Sequence, residues 1–278
     1  MEWKSFTESS SKYRIAYSHV GAASNCPRYH VILTAGRGQP TWGTERNRKL
    51  IQERLNHGAD VWLLDWQGQG LSERTIPDEP FKHHLQFGYD MHVSTIKQFI
   101  EEIVPCRLPL VLMSHSMGSH IVLRYLAEQR NKVSCAVLTA PMLRIRTTPF
   151  PEKLTFLTCR LAYSLGLGHL FAPGQKSFWR QSNLHMGGVT YGWLYQSLQS
   201  CSEISQKARL GYWRRLTTPV LIQTCPTDET VYHETIVEAA SSMPAAELII
   251  TPESGHDQAD IAVETNRFID KCISKGGP

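Results

Sequence analysis

Short runs of apolar residues alternate with helical patterns over most of this 278-residue chain. Strands buried on both faces give such runs, and their alternation with helices is typical of a mostly parallel central sheet with helices on both faces. The predicted strands are 31–34, 61–65, 110–113, 136–139, 220–223 and 248–250, and the predicted helices lie near 43–57, 89–104, 117–129, 231–242 and 259–274. A hairpin from about Tyr13 to Val20, with the residues before it, is expected to form an antiparallel edge. The pattern therefore predicts the α/β class.

One interruption of this alternation, between Pro141 and Thr218, covers about 75 residues, which is too many for a loop in a compact domain. Four leucines recur there at helical spacing: Leu154, Leu157, Leu161 and Leu165. A second helical pattern follows from Tyr191 to Ser205. We therefore expect a core of residues 1–142 and 218–278 with an inserted helical cap at 143–217. The leucine stripe either packs against the core or contacts lipid.

The composition is that of an ordinary globular protein, with 41% hydrophobic and 19% charged residues. The net charge of +4 is small and spread along the chain, so we expect no nucleic acid partner, although a mildly basic face favours anionic lipid surfaces. Seven dispersed cysteines without a C-x-x-C pair are typical of reduced thiols. The chain shows neither the apolar run of a signal peptide nor a stretch of about 18 apolar residues. We expect a cytoplasmic protein, with peripheral membrane contact and oligomeric state left open.

The segment from Leu110 to Leu123 leads from a predicted strand through a turn of small residues into a predicted helix, with Ser116 at the bend. A serine on such a tight turn, with its hydroxyl above the sheet edge, is the nucleophile of the G-x-S-x-G motif. Here the motif reads Ser114-His115-Ser116-Met117-Gly118, so a serine replaces the first glycine. Ser116 is therefore the candidate nucleophile, and an ordinary helix N-cap is the alternative.

A serine hydroxyl is a weak nucleophile at neutral pH, so acyl transfer requires an imidazole base, a carboxylate that orients it and donors for the oxyanion. Asp228 follows the strand 220–223, and His256 follows the strand 248–250 in a Gly-His turn. The resulting order of serine, aspartate and histidine is the one found in α/β-hydrolases. Glu229 is adjacent to Asp228, and either carboxylate could instead be an exposed loop charge. We predict Asp228 and His256 as the partners of the serine.

The oxyanion donors are expected at two backbone positions. The N–H of Met117 opens the helix after the elbow, where the helix dipole favours negative charge. The loop after the strand 31–34 contains Gly36, which permits a turn, and the N–H of Arg37 is the expected second donor. The Arg37 side chain either meets an anionic head group or is exposed. The residues expected to shape the elbow and the substrate pocket are Gly36, Ser114, His115 and Gly118.

Histidines other than His256 are expected to have structural roles. His115 and His120 flank the elbow, and we expect them to pack or to line the site. His83 and His84 have no carboxylate or cysteine at ligand spacing, so no metal site is predicted there. Gly36-Arg37-Gly38 is too short for a phosphate-binding loop. The predicted chemistry uses no metal and no organic cofactor.

With these residues in place, the chain resembles the α/β-hydrolases related to bacterial lysophospholipase and monoacylglycerol lipase, a serine aminopeptidase-like hydrolase family. The most specific blocks are Asp65 to Arg74, Ser114 to Gly118 with His120, Ala140 to Leu143, Ala172 to Gln175 and Tyr191 to Leu194. The resemblance implies an α/β-hydrolase fold and hydrolysis of a carboxylic ester in a monoacylated lipid, such as a lysophospholipid or a monoacylglycerol. It also implies that Ser116 is the nucleophile, that His256 acts first as base and then as acid, that Asp228 orients His256, and that the cap forms an acyl-chain tunnel.

The chain departs from the pattern of this family in three places. Ser114 and Ser119 replace glycines around the elbow, and the cap between Gln175 and Tyr191 and the segment 257–260 look shortened. Because a fold does not fix a substrate, a general carboxylesterase for short acyl esters is one alternative. A hydrolase-like protein that binds a ligand or partner without turnover is another.

Overall fold

The structure is a computed structural model that describes residues 1–22, 26–85, 87–128, 132–173, 184, 186–257 and 261–275. Its strands are β1 (Trp3–Thr7), β2 (Arg14–Val20), β3 (Tyr29–Thr34), β4 (Ala59–Leu64), β5 (Leu110–His115), β6 (Val133–Thr139), β7 (Val220–Thr224) and β8 (Ala246–Ile250). Its α-helices are α1 (Glu45–Asn56), α2 (Gly88–Gln98), α3 (Met117–Glu128), α4 (Glu152–Ser164), α5 (Tyr191–Arg209), α6 (His233–Ser241) and α7 (Ala262–Lys275).

The eight strands form one sheet in the order β1-β2-β4-β3-β5-β6-β7-β8. The strand β2 is antiparallel to both of its neighbours, and all other neighbours from β3 to β8 are parallel. The predicted parallel sheet with an antiparallel hairpin at its edge is therefore confirmed. Parallel strands end at the same edge of a sheet, so the loops after β3, β5, β7 and β8 lie along one edge, where ligands bind in open α/β sheets.

Alternate residues of the central strands enter two cores, one on each face of the sheet. On β5, Leu112 joins the core that includes Ile121 of α3 and Trp193 of α5, whereas Val111 joins the core that includes Ile51 of α1 and Phe268 of α7. A strand with both faces buried reads as a continuous apolar run, which is why these strands were visible in the sequence.

The helices differ from the sequence prediction at three places, and the first is α5, which extends beyond the predicted Ser205 to Arg209. The predicted helix 89–104 consists of α2 and a π-helical turn, Phe99–Ile103. The helix predicted at 259–274 begins at Ala262 in α7, and residues 258–260 of the shortened segment lie outside the described residues. Most of the cap segment between Gln175 and Tyr191 also lies outside them.

The helices α4 and α5 lie between β6 and β7, where the cap is expected. The Thr190 hydroxyl caps α5 by accepting a hydrogen bond from the Trp193 N–H at 3.1 Å, and the buried face of α5 joins the core shared with α2 and α3. The helix α4 packs on α5 through Phe156 and Tyr163, whose rings lie 5.6 and 5.1 Å from that of Tyr195.

The leucine stripe of α4 is not packed against the core. Leu154, Leu157, Leu161 and Leu165 are between 56% and 65% exposed. The packing interpretation of this stripe is therefore wrong, because α4 uses its aromatic side chains to contact α5. Within the described residues, no helix is both long enough and apolar enough to cross a membrane.

Candidate active site

A single residue forms the turn between β5 and α3. Ser116 has φ = 50°, in the left-handed region that non-glycine residues adopt only when the surrounding structure holds them there. Its N–H donates to the carbonyl of Thr139 on β6 at 2.9 Å, and its own carbonyl accepts from the N–H groups of His120 and Met142 at 3.1 and 3.2 Å. These contacts keep the strained turn in place and leave the hydroxyl at the edge of the sheet.

Two glycines allow the backbone to approach this turn closely. A Cβ atom on Gly118 would lie 2.7 Å from the carbonyl oxygen of Ala35 and 2.8 Å from Thr34 Oγ1. A Cβ atom on Gly36 would lie 2.8 Å from His115 Nδ1 and 3.2 Å from the Cβ of Ser116. No side chain fits at either glycine without displacing the elbow or the loop after β3.

The two serines that replace glycines near the elbow are both hydrogen-bonded. The hydroxyl groups of Ser114 and Thr34 lie 2.6 Å apart, and the hydroxyl of Ser119 donates to the carbonyl of Ser114 at 2.8 Å. Ser114 is only 7% exposed, so its hydroxyl would be costly without this partner. The elbow therefore tolerates both serines because polar groups of the neighbouring backbone and of β3 accommodate them.

The loops after β7 and β8 bring the two expected partners to Ser116. His256 Nε2 lies 3.0 Å from Ser116 Oγ, and His256 Nδ1 lies 2.8 Å from Asp228 Oδ2. The other carboxylate oxygen of Asp228 accepts the N–H groups of Thr230 and Val231 at 2.7 and 3.0 Å. Serine hydroxyl, imidazole and carboxylate thus form one chain of hydrogen bonds.

The Asp228 carboxylate, which ends this chain of hydrogen bonds, is buried and ionised at neutral pH. Asp228 is 2% exposed, and burial raises the pKa of its carboxyl group. Hydrogen bonds from His256 and from the Val231 and Thr230 amides outweigh burial, so the pKa lies below the ordinary value. Glu229, the alternative carboxylate, is exposed.

His115 contacts His256, the histidine of this hydrogen-bonded chain. Its Nε2–H donates to the carbonyl oxygen of His256 at 3.0 Å, and the two ring centroids are 4.9 Å apart. Burial, together with the nearby His256 ring, lowers the pKa of His115 to about 3, so its imidazole is neutral. His120 lies on the other side, where its Nε2 is 2.8 Å from the Ser200 hydroxyl of α5.

The loop after β3 is held by side chains that follow β4. The indole N–H of Trp66 donates to the carbonyl of Ala35 at 3.0 Å. The Gln69 amide donates through Nε2 to the carbonyl of Gly36 at 3.1 Å and accepts through Oε1 from the N–H of Gly38 at 2.6 Å. The role of Gln69 was missed from the sequence. Its signal was a polar residue between two glycines, directly after a buried strand.

The backbone N–H groups of Arg37 and Met117 both lack a hydrogen-bond acceptor within the part of the chain that the structure describes. Met117 is the first residue of α3, where helix N–H groups have no partner inside the helix. Both N–H groups expected from the sequence are therefore available to bind an oxyanion. They belong to the loop after β3 and to the elbow, which meet at Gly36 and Ser116.

Comparison with known proteins places the chain in a family. Residues 25–259 match the family described as "Serine aminopeptidase, S33". The chain belongs to this family. It is also 28% identical over 183 residues to a probable lysophospholipase L2 of Haemophilus influenzae, a match that covers 64% of this chain and 54% of that protein. The match thus spans about half the length of that relative.

Solved structures extend the comparison of this S33 family member over almost its full length. A soluble variant of monoglyceride lipase from Saccharomyces cerevisiae aligns with a TM-score of 0.76 at 15% identity, over 98% of this chain and 95% of that one. A monoacylglycerol lipase from Paleococcus ferrophilus aligns with a TM-score of 0.72 at 17% identity, over 94% and 98%. A carboxyl esterase from Bacillus coagulans gives 0.74 at 14% identity, over 98% and 99%. The expected α/β-hydrolase fold is confirmed.

The side chain of Arg37 is half-buried, so the exposed alternative is wrong, whereas its contact with an anionic head group stays a prediction. Its guanidinium group donates to the carbonyl of Gly187 in the cap region and lies 5.1 Å from the ring centroid of Trp193 on α5. Burial lowers the pKa of Arg37 to about 10, so the group remains charged at neutral pH. The loop after β3 is therefore tied to the cap through this side chain.

A cavity of about 540 Å³ lies next to the elbow of this S33 family member, lined by α1, the start of α7 and His115. Neither Ser116 nor His256 lines it, so it is not the acyl-chain tunnel implied by the resemblance, and that tunnel stays a prediction. Within the described ranges, no three histidine, cysteine, aspartate or glutamate side chains are grouped as metal ligands.

Proposed function

We propose that this S33 family member is a serine hydrolase that cleaves the carboxylic ester of monoacylated lipids, either lysophospholipids or monoacylglycerols. The observation that carries the proposal is the hydrogen-bonded chain from Ser116 through His256 to Asp228, with separations of 3.0 and 2.8 Å, at a strained turn. An ordinary helix N-cap does not require, at its hydroxyl, a histidine that is hydrogen-bonded to a buried carboxylate.

In the first half of the reaction, Ser116 Oγ attacks the ester carbonyl carbon while His256 Nε2 takes the hydroxyl proton. The carboxylate of Asp228 orients the imidazole and stabilises its charged form. The negative charge that develops on the carbonyl oxygen is bound by the backbone N–H groups of Met117 and Arg37. When the tetrahedral intermediate breaks down, His256 donates the proton to the leaving alcohol, and an acyl group remains on Ser116.

In the second half, His256 Nε2 takes a proton from a water molecule, which attacks the acyl carbon and forms a second tetrahedral intermediate. The same two amides bind its oxyanion, and its collapse releases the fatty acid as His256 returns the proton to Ser116. His115 assists by donating a hydrogen bond from its Nε2–H to the backbone carbonyl of His256, which holds that residue in place.

The preference for lipid is supported by the names of the relatives and by the surface of α4. The exposed leucines Leu157 and Leu161 share this helix with the exposed cations Lys153 and Arg160. Apolar side chains next to basic ones suit the surface of an anionic bilayer. We propose that the cap, residues 143–217, contacts the membrane through this stripe and admits a monoacyl chain towards Ser116.

Covalent labelling tests the nucleophile. A fluorophosphonate probe is expected to label the wild-type protein, and Ser116→Ala is expected to abolish both labelling and ester hydrolysis. Ser241→Ala, which alters an exposed serine on α6, serves as the matched control. Unchanged turnover in Ser116→Ala would contradict the proposal, and a folded wild-type protein that is neither labelled nor active would point to a binding protein.

A substrate panel tests the acyl group and the membrane contact. We expect faster hydrolysis of lysophosphatidylcholine or monoolein than of p-nitrophenyl acetate, and a strong preference for acetate or butyrate would favour a general carboxylesterase. Leu157→Glu/Leu161→Glu should weaken co-sedimentation with phosphatidylglycerol vesicles and leave hydrolysis of soluble p-nitrophenyl butyrate intact. Leu210→Glu, at a leucine that is 88% exposed just after α5, is the matched control.

A further inference from the structure

Gln69 holds the loop that carries the expected second oxyanion donor. Its side-chain amide binds the carbonyl of Gly36 and the N–H of Gly38, one residue on each side of Arg37, and Gln69 itself is 1% exposed. One partner is an acceptor and the other a donor, so the pair fixes which end of the amide faces which residue.

The backbone of Gln69 is fixed in turn. Its N–H donates to the carbonyl of Trp66 at 3.0 Å, and its carbonyl accepts from the N–H of Ser72 at 3.0 Å. The loop after β4, which contains Gln69, is also held by the carboxylate of Asp65, which accepts from the N–H of Leu71 at 3.0 Å. These two hydrogen bonds of the Gln69 side chain, which we call the clamp, are therefore anchored to the end of β4 and do not depend on a mobile surface side chain.

The order of the strands decides which way the Arg37 N–H points. In a trans peptide the carbonyl of one residue and the N–H of the next point in opposite directions. The strand β3 lies between β4, which leads to Gln69, and β5, which leads to Ser116. Because the Gly36 carbonyl is drawn towards Gln69 on the β4 side, the Arg37 N–H faces the β5 side, where the serine lies.

We propose that Gln69 is a positioning residue for ester hydrolysis, whose side chain sets the Gly36–Arg37 peptide so that the Arg37 N–H faces the oxyanion. The inference rests on the proposed function. Without the clamp, the glycines on both sides of Arg37 allow this peptide to rotate, and a rotated peptide presents a carbonyl oxygen, which repels the oxyanion. Without substrate, the contacts of the loop after β3 already hold the Arg37 N–H in the orientation that the transition state requires.

The substitution Gln69→Glu tests this with minimal change of shape. A carboxylate still accepts the Gly38 N–H, but it cannot donate to the Gly36 carbonyl and repels it. With p-nitrophenyl butyrate we expect kcat to fall by about 10²- to 10³-fold, as for loss of one oxyanion donor, with KM nearly unchanged. Gln52→Glu, the same change at an exposed position of α1, should retain full kcat.

Binding of a trifluoromethyl ketone supplies a readout that a general loss of packing does not mimic. Ser116 adds to the ketone to form a hemiketal oxyanion, so affinity should fall in Gln69→Glu by a factor similar to kcat, whereas affinity for the corresponding secondary alcohol, which carries no oxyanion, should change little. In the wild-type protein, adduct formation should move the Arg37 amide proton resonance downfield. This last measurement needs no variant, and an unmoved resonance overturns the inference even if Gln69→Glu fails to fold.

The outcomes separate the two proposals. Equal turnover by wild type and Ser116→Ala overturns the proposed function, and this inference with it. Normal wild-type turnover that depends on Ser116, with kcat of folded Gln69→Glu and of the neutral variant Gln69→Met within about threefold of wild type, overturns the role of Gln69 alone.

Discussion

Three histidines whose pKa values are strongly lowered are expected to destabilise this fold in mild acid. Burial lowers the pKa values of His92, His115 and His120 from 6.5 to about 3. His92 offers the simplest test, because neither ring nitrogen has a partner within the described residues. Its ring packs against those of Trp66 and Tyr89, at 5.5 and 5.8 Å.

The direction and size of the effect follow from proton linkage. Above pH 6.5 these histidines are neutral in the folded and unfolded chains and add no pH dependence. As the pH falls below 6.5, the unfolded chain binds protons that the folded protein binds only near pH 3. Each unit in this window lowers the free energy of unfolding by about 1.4 kcal/mol per histidine. At pH 5 the loss is about 2 kcal/mol for His92 and about 6 kcal/mol for all three, comparable to the whole stability of an ordinary domain.

Urea unfolding at pH 7 and pH 5, followed by circular dichroism, measures this loss. His92→Leu should lose about 2 kcal/mol less than wild type between the two pH values. Any packing defect of the variant is present at both pH values and cancels in the difference. His169→Leu, at an exposed position, should behave like wild type. The reasoning is refuted if His92→Leu and wild type lose the same free energy of unfolding between pH 7 and pH 5.

Three further substitutions test the site. Asp228→Asn should lower kcat by about 10⁴-fold without unfolding the protein, because the imidazole loses its orienting carboxylate; steady-state kinetics beside circular dichroism measure both, and full activity would contradict the role of Asp228. Ser114→Gly should lower the free energy of unfolding by about 1–2 kcal/mol, because it removes the hydrogen bond to Thr34, and should keep kcat, because glycine is the usual residue of the G-x-S-x-G motif. Urea titration and turnover of p-nitrophenyl butyrate measure the two effects. A large fall in kcat would contradict this prediction. Gly70→Ala places a Cβ atom against the carboxylate of Asp65 and should lower the melting temperature sharply, and an unchanged melting temperature would contradict this prediction.

The sequence predicted the elements of this fold best where burial leaves a continuous pattern. The strands β3 to β7 were predicted because both faces of the sheet are covered there, and every predicted core strand lies within three residues of its observed bounds. Asp228 and His256 could be selected because parallel strands end at one edge, so the loops after β7 and β8 had to meet the elbow after β5. Their approach to Ser116 is a consequence of sheet topology. The apolar pattern of the strands and the order of serine, aspartate and histidine along the chain were sufficient to predict it.

Contacts that depend on strand order in space, and not in sequence, were not predictable in the same way. Gln69 reaches the loop after β3 because β4 is placed between β2 and β3, an order that the chain does not display. His115 points back to the carbonyl of His256, 141 residues away, although sequence suggested only that it lies near the elbow. The side chain of Arg37 turns into the cap because Gly187 offers a carbonyl there, and no local pattern announces such a partner.

The irregular elbow shows why a motif position can tolerate one change and not another. Ser114 on β5 and Gly118 on α3 both lie next to Thr34, the last residue of β3. At residue 114 the Thr34 hydroxyl is a hydrogen-bond partner 2.6 Å away, so a serine is satisfied. At residue 118 the same hydroxyl lies 2.8 Å from where a Cβ atom would be, and the Ala35 carbonyl lies 2.7 Å away, so only glycine fits. A serine is thus tolerated at the first position because its hydroxyl has a partner, whereas the last position is limited by space. It follows that the residue at the end of β3 decides which substitutions the elbow accepts.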